Sequence, residues 1–483
     1  MDINGFLMLN GRGAGPYTED LAMRFLARAV TENSLNNAWN VNFSNGNTNN
    51  NNKYNANAVR AVAAFGEEVK IGWLEAFHDC CENKLSSYEC CDYRQHYETD
   101  LWILIYEVYT RTYKPGKSTC FVVTRPKLRE VFAAAFRDRI VHHWICLRLN
   151  PLFEARFAAQ GNVSHNCRKG YGTSSAVSAF AEDVRVVTMD YTRKAWIGKF
   201  DIRAFFMSID PALLWDLLRP FIEDNYNDVD KDTLLYLTRV VVLNRPQYNC
   251  VKKSPKELYE ALPPGKSLFN SATGVPIGNL PSQLFANFFL SFLDAAMVAL
   301  TRYLGADNFR YERYVDDFAL VCSDKEVVLA IRPLITDALR RDLSLQLHDN
   351  KFYIQEARKG TIFVGSVVKK GRIYLINRTI HGLHDALGTL NTICADIIEG
   401  GANYKLLRNL EHAIASVNSY LGFTVHCDAY NVRLKAFAKM PPAFWQVCFV
   451  KRDTMACVKI RRRYRTKVYL FKKEKDNGMV LRQ

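Results

Sequence analysis

The sequence predicts an α+β fold, in which a small antiparallel sheet is packed with helices and followed by more helices, on three observations. Ala195-Trp196-Ile197-Gly198-Lys199-Phe200 is a β-prone run that ends on Asp201. Two further runs, Phe309-Arg310-Tyr311-Glu312-Arg313 and Phe318-Ala319-Leu320-Val321-Cys322, flank Tyr314-Val315-Asp316-Asp317, so a pair of acids sits at a break between strands. After Ile376 come three amphipathic helical patterns, near Thr379–Glu399, Tyr404–Ser416 and Ala429–Lys439.

The other elements follow in chain order. Residues 1–66 hold a short helix, Glu19–Glu32, and an asparagine-rich stretch, Asn36–Ala64, whose low helix and strand propensity makes it a polar linker as protein structure. Helices are predicted near Val69–Glu82 and Tyr97–Thr110. The Asp201 strand leads through Ile202-Arg203-Ala204-Phe205-Phe206 to a helix from Pro211 to Ile222, a polar loop spans Pro246–Phe269, and an apolar helix covers Leu284–Ala299. From Lys459 to Lys475 nine Lys or Arg stand against one Glu, interleaved with Tyr464, Tyr469 and Phe471. Such a tail tracks RNA or an acidic protein, or is simply a solvated end.

Two adjacent carboxylates at a strand break are the most informative feature. An unpaired buried carboxylate costs roughly several kcal/mol and two side by side repel, unless a cation neutralises both. Hard oxygen ligands select magnesium. Taken alone, the four residues also fit a polar hairpin turn. Nucleotidyl transfer needs a third carboxylate on another strand, so that two ions are clamped roughly 3.5–4 Å apart. Asp201 is placed to supply it. Thr124-Arg125-Pro126-Lys127-Leu128-Arg129 adds three cations on a short segment ahead of Phe132–His143, where Arg137 and Arg139 also read as a solvated face.

The order strand-Asp-x₄-aromatic, then about a hundred residues later Tyr-x-Asp-Asp, resembles the palm of reverse transcriptases. The resemblance covers roughly Phe77 to His426. It implies a right-hand polymerase with fingers, palm and helical thumb, and two Mg²⁺ ions at Asp201, Asp316, Asp317 and Ile202. It also implies an aromatic gate against a ribose 2′-OH at Phe206, one ring of the Phe205-Phe206 pair being core. Arg125, Lys127, Arg129 and Gln283 would bind the nucleotide, Lys351 of Leu347-His348-Asp349-Asn350-Lys351-Phe352 would approach the leaving pyrophosphate, and Tyr314 would touch primer or template. Gly365, in Gly360-Thr361-Ile362-Phe363-Val364-Gly365, would grip the primer where a missing Cβ lets backbone approach backbone. The implied domains are an N-terminal extension 1–66, N-terminal helices and fingers 67–171, palm 172–370, thumb 371–440 and basic tail 441–483. Ser416–Gly422 is similar to a thumb segment of group II intron proteins.

Gly274-Val275-Pro276-Ile277-Gly278-Asn279-Leu280-Pro281-Ser282-Gln283 carries an isoleucine where most such enzymes keep glutamine. This variant, with Arg125–Gly172 ending Asn166-Cys167-Arg168-Lys169-Gly170-Tyr171-Gly172, resembles the reverse transcriptases of diversity-generating retroelements, which copy a template RNA with errors at adenines. Replacing an amide by an apolar chain removes a geometric check on the base pair, making Ile277 and Arg129 the fidelity candidates. Ordinary packing is the other reading of Ile277. The Asn-rich stretch resembles the variable end of the target proteins of these elements, as expected of a translated adenine-rich template repeat. The resemblance further implies template RNA, a cDNA primer strand, dNTPs and a small basic helical accessory protein, itself oligomeric, as partners. A group II intron-like or defence-associated reverse transcriptase, or an idle RNA-binding scaffold, are the alternatives.

Composition agrees with a phosphate-backbone partner: net charge is +15 and the pI about 9.1. Thirteen cysteines without an extracellular signal indicate a reducing cytoplasm. Met1–Gly5 lacks a signal-peptide start, and the apolar stretches read as too interrupted to span a bilayer, so no membrane partner is expected. Cys80-Cys81 and Cys90-Cys91 lack zinc-ligand spacing. After the thumb an RNase H domain would not fit, and no Cys/His cluster suggests an HNH nuclease.

Overall fold

The computed structural model describes residues 67–465 apart from 83, 86, 126 and 452. The Glu19–Glu32 helix, the Asn-rich stretch and the end of the basic tail lie outside the described residues. The chain is a mixture of helix and sheet. In order, its elements are α1 (Glu67–Cys81), α2 (Tyr88–Gln95), α3 (Tyr97–Tyr109), β1 (Ser118–Val123), β2 (Arg129–Ala133), α4 (Phe136–Ala159), α5 (Thr173–Val187), β3 (Trp196–Asp201), α6 (Phe205–Ser208), α7 (Pro211–Asn225), α8 (Lys231–Leu243), β4 (Cys250–Lys252) and α9 (Lys256–Glu260). There follow α10 (Leu280–Leu304), β5 (Phe309–Tyr314), β6 (Asp317–Cys322), α11 (Lys325–Leu343), β7 (Tyr353–Glu356), β8 (Thr361–Phe363), β9 (Ser366–Lys369), β10 (Arg372–Leu375), α12 (Asn377–Gly400), α13 (Tyr404–Val425), α14 (Tyr430–Ala438), α15 (Pro442–Val447), β11 (Cys448–Val450) and β12 (Val458–Ile460).

These form two compact units. The first gathers the described residues up to Ala159 with Ala204–Phe292 and Leu343–Leu345. Its sheet runs β2-β1-β4, with Thr119 opposite Ala133 and, in parallel, Ser118 opposite Cys250. Trp73 and Trp144 stack at 5.1 Å, and Phe153 and Phe288 at 4.9 Å, in the apolar seams between its helices. The stretch expected as a polar loop at 246–269 is therefore not all loop. β4 is too short to show an alternation, and its partner lies more than a hundred residues away, so neither signal is visible locally.

The second unit gathers Gln160–Arg203, Leu293–Asp342 and the described residues from Gln346 onward. Its main sheet has the order β5-β6-β3-β7, antiparallel throughout. On one face α5 lays Phe180 and Val184 against Ile197, Ala319, Val321 and Phe363. At Gly198 an added Cβ would lie 2.7 Å from Val328 Cγ1, so the glycine lets α11 approach the sheet. A second sheet, β10-β9-β8, leads to the helices α12, α13 and α14, where the leucines at 383, 387 and 390 of α12 and at 407, 410 and 421 of α13 are buried in one cluster with Ala436 and Phe437 of α14.

Two expectations need correction here. Residues 441–460 are not a tail, because Phe444, Val447, Cys448, Val450 and Val458 join that same cluster through α15 and the β11–β12 hairpin. Counting charges from Lys459 onward hides this short apolar alternation. And α10 is long and apolar enough to cross a membrane by length and composition, despite its polar interruptions. Its most apolar window is 61% buried inside the molecule, as in a core helix, and it carries the fully buried Asp294.

Candidate active site

The three acids are brought together by strand register within the second unit. β6 lies between β5 and β3, with Tyr314 opposite Asp317 on one side and Asp201 opposite Asp317 on the other. Val315 and Asp316 form the two-residue loop of the β5–β6 hairpin. The end of β3 is tied down from both directions: the Ile202 N–H donates to the Asp316 carbonyl at 3.3 Å, and the His348 N–H to the Asp201 carbonyl at 2.8 Å. Ile202 itself is buried.

The charges are poised rather than settled. Asp317 Oδ2 faces Lys199 Nζ at 3.1 Å, while its buried Oδ1 has no hydrogen-bond partner. Burial pushes the Asp317 carboxyl up to about 6, Lys199 opposing the rise and the neighbouring Asp316 and Asp201 adding to it. Lys351 Nζ donates to Asp201 Oδ1 at 2.7 Å. As arranged, no group of three or more His, Cys, Asp or Glu among the described residues is ready to hold a metal ion, and lysines stand on two of the acids instead. The donor set nonetheless fits a hard divalent cation. The three acids offer carboxylate oxygens, and one of those of Asp317 is buried without a hydrogen-bond partner.

The loop carrying these acids is strained, and it is held by residues outside the sequence candidates. Val315 has φ 57°, a left-handed conformation that costs a β-branched residue about 1–3 kcal/mol. Its N–H donates to Asn166 Oδ1 at 2.9 Å, and its carbonyl accepts from Arg313 Nη1 at 3.1 Å. Arg313 is fully buried, and it grips the equally buried Asp294 through two bonds, Nε to Oδ1 at 2.7 Å and Nη2 to Oδ2 at 2.5 Å. Burial alone would lower the guanidinium's pKa, but Asp294 outweighs it and holds Arg313 above its ordinary value. Tyr311 donates its hydroxyl to Asp294 as well, at 2.9 Å. Asn166 is delivered by residues 163–166, which run parallel beside Arg313: its N–H reaches the Val163 carbonyl at 2.8 Å and its carbonyl the His165 N–H at 3.1 Å. One signal was there to read. Asp294 is a lone acid in an apolar helix and Arg313 a cation in a buried strand, and such groups are kept only in pairs.

The remaining candidates divide between the units. In the second, Tyr314 is half-buried against the α5 cluster. Gly365 lies with Val364 in the β8–β9 turn, both at positive φ, and nothing stands within 4 Å of where its Cβ would be. The glycine is thus required by backbone conformation and not, in this state, by close approach. A cleft of about 390 Å³ opens beside this turn, lined by Thr173, Ser366, Ser419 and His426 among others.

In the first unit, Arg125 and Lys127 are exposed between β1 and β2, and Arg129 is exposed at the start of β2. Phe205 is buried, and Phe206 is half-exposed, edge-on to it at 5.3 Å. Ile277 packs against Cys120, Phe132, Met207 and Leu268, and its carbonyl accepts from the Phe132 N–H at 2.8 Å. Gln283 is exposed on the first turn of α10, beside the buried Ser282.

No family model matches the chain. It is 25% identical over 300 residues to Protein YkfC of Escherichia coli (strain K12), covering 55% of this chain and 70% of that protein. Among solved structures it is similar to apo telomerase from Candida tropicalis, with a TM-score of 0.40, 10% identity, and 64% of this chain and 57% of that one covered. A form of that telomerase truncated from its C-terminal domain gives a TM-score of 0.39 at 12% identity, over 54% and 55% of the two chains. Telomerase from Candida albicans in complex with the TWJ fragment of telomeric RNA gives 0.36 at 15% identity, over 68% and 56%. The chain spans little more than half the length of these telomerases.

Proposed function

We propose that the protein is an RNA-directed DNA polymerase of the diversity-generating retroelement type, making error-prone, adenine-directed cDNA from a template-repeat RNA for retrohoming into a variable target gene. The observation that supports a polymerase is the register of the β3, β6 and β5 strands, which sets Asp201 opposite Asp317 with Asp316 in the adjoining loop, and the retroelement type rests on the sequence resemblance around Ile277.

Asp201, Asp316 and Asp317, with Ile202, would hold two magnesium ions. Bound there, magnesium would lower the pKa of the primer 3′-OH and neutralise charge on the triphosphate. The chain's own groups do the rest. Arg125, Lys127, Arg129 and Gln283 hold the incoming dNTP, Phe206 bars a 2′-OH, Lys351 turns to the departing pyrophosphate, and Tyr314 and Gly365 seat the primer and template strands. Ile277 offers no amide beside the nucleotide, which lowers discrimination at the base pair. The working complex comprises template RNA, cDNA primer and a small basic helical accessory protein, in the cytoplasm.

Sequencing of cDNA made on one RNA template by the wild type and by Ile277→Gln tests this reading. The wild type should misincorporate mainly opposite adenine. Ile277→Gln should reduce those errors more than errors opposite the other bases, by about tenfold if the amide restores about 1.4 kcal/mol of discrimination. Equal, base-independent spectra would remove the retroelement assignment, and absence of cDNA would remove the polymerase.

A further inference from the structure

Among the described residues, the β11–β12 hairpin is fastened by its inner face. Cys448, Val450 and Val458 point inward and are buried among the α12 and α13 side chains, with Met455 in the loop between the strands. On the outer face Phe449 stands opposite Lys459 in register, and both are exposed. Just before the hairpin Trp445 is 38% exposed, the same value as Phe449. Lys451 and Arg463 are exposed as well.

The cations are steadied where they stand. Arg461 donates through Nε to the Trp445 carbonyl at 2.6 Å and the Cys448 carbonyl at 3.2 Å, and Arg463 Nη2 donates to the Gln446 carbonyl at 3.2 Å. From Pro441 to Arg465 seven Lys or Arg stand against a single acid, Asp453. A solvated charged face has no use for two exposed rings, and an apolar docking face would not be rimmed with pinned guanidinium groups. Rings interleaved with cations are what single-stranded nucleic acid needs, because bases stack on the rings while phosphates meet the charges.

We propose that the outer face of this hairpin, built on Trp445, Phe449, Lys451, Lys459, Arg461 and Arg463, is a binding surface for single-stranded RNA. It anchors the RNA by stacking and by charge without reading its sequence. The proposal does not depend on catalysis, so its test is binding alone, with the full-length chain, without dNTPs or magnesium. A short fluorescently labelled oligouridine is titrated with wild type, Trp445→Ala, Phe449→Ala and Lys459→Gln over a range of salt concentrations.

Each aromatic variant should bind about tenfold more weakly with an unchanged salt slope, since stacking releases no counter-ions. Lys459→Gln should reduce the slope of log affinity against log salt by about 0.7, the value for one single-strand phosphate contact. Melting temperatures should match the wild type, because all three side chains are exposed. The idea is overturned if the wild type does not bind oligouridine, or if all three variants bind it with wild-type affinity and slope. That second result overturns it even where the variants lose binding to an acidic polyglutamate peptide instead. A wild type that binds as expected yet makes no cDNA would leave this surface standing and remove only the proposed reaction.

Discussion

Asp317 concentrates the energetics of the candidate site in a single residue. Its folded pKa of about 6 lies above the ordinary carboxylate value, so the stability it contributes is fully present below about pH 4 and is lost as pH rises through about 6. At neutral pH and without divalent cations the ionised group is therefore a net cost. Asp317→Asn should stabilise the cation-free protein at pH 7 by on the order of 2 kcal/mol, raising its melting temperature, and have little effect at pH 4. Thermal melts of both proteins across this range check it, and a lower melting temperature for the variant at pH 7 would contradict the account. Asn166 is the complementary case, a neutral residue acting through Val315. Asn166→Ala leaves the Val315 N–H without its acceptor, at a cost of ~1–3 kcal/mol, and frees a strained loop to relax. In steady-state extension kcat should fall while the KM for dNTP stays near wild type, since the variant disturbs the acids and not the nucleotide contacts. A change confined to KM would exclude this role.

At the scale of elements, legibility follows how local the cause is. The β5–β6 hairpin was readable because two strand-like runs flank a polar break, and helices such as α12 and α13 because their leucines recur at helical spacing. The parallel run of residues 163–166 beside Arg313 was not readable: it is a single bridge whose justification is a buried hydrogen-bond network far away in sequence. β4 escaped for the same reason, and the β11–β12 hairpin was obscured by the basic residues around it. Gly278 shows an element-scale requirement that the sequence hinted at. It has φ 116°, and an added Cβ would stand 2.6 Å from the Phe132 carbonyl oxygen on β2. Gly278→Ala should therefore strain the loop and disturb the Phe132 to Ile277 hydrogen bond, costing more than about 1 kcal/mol. Faster amide exchange at Phe132, with a lowered melting temperature, would register this, and unchanged exchange would refute it.

Across the whole molecule, two units are assembled from interleaved segments, and the chain passes between them within β3–α6 and again within α10. No local pattern announces such a division, because it depends on which segments pack together after the chain has folded. The net charge of +15, by contrast, was plain in the sequence, since it depends on residue identity alone, whereas the three acids were only candidates there until strand register set Asp201 opposite Asp317. Both underlie the proposed function, in which a basic protein holds RNA and uses Asp201, Asp316 and Asp317 to extend a DNA primer along it. Magnesium-dependent primer extension on an RNA template, run beside RNA binding for wild type and Asp316→Asn, measures that claim directly. The variant keeps the shape of the side chain and removes its charge, so extension should fall by orders of magnitude while RNA affinity stays at the wild-type value. Undiminished extension by Asp316→Asn would contradict it.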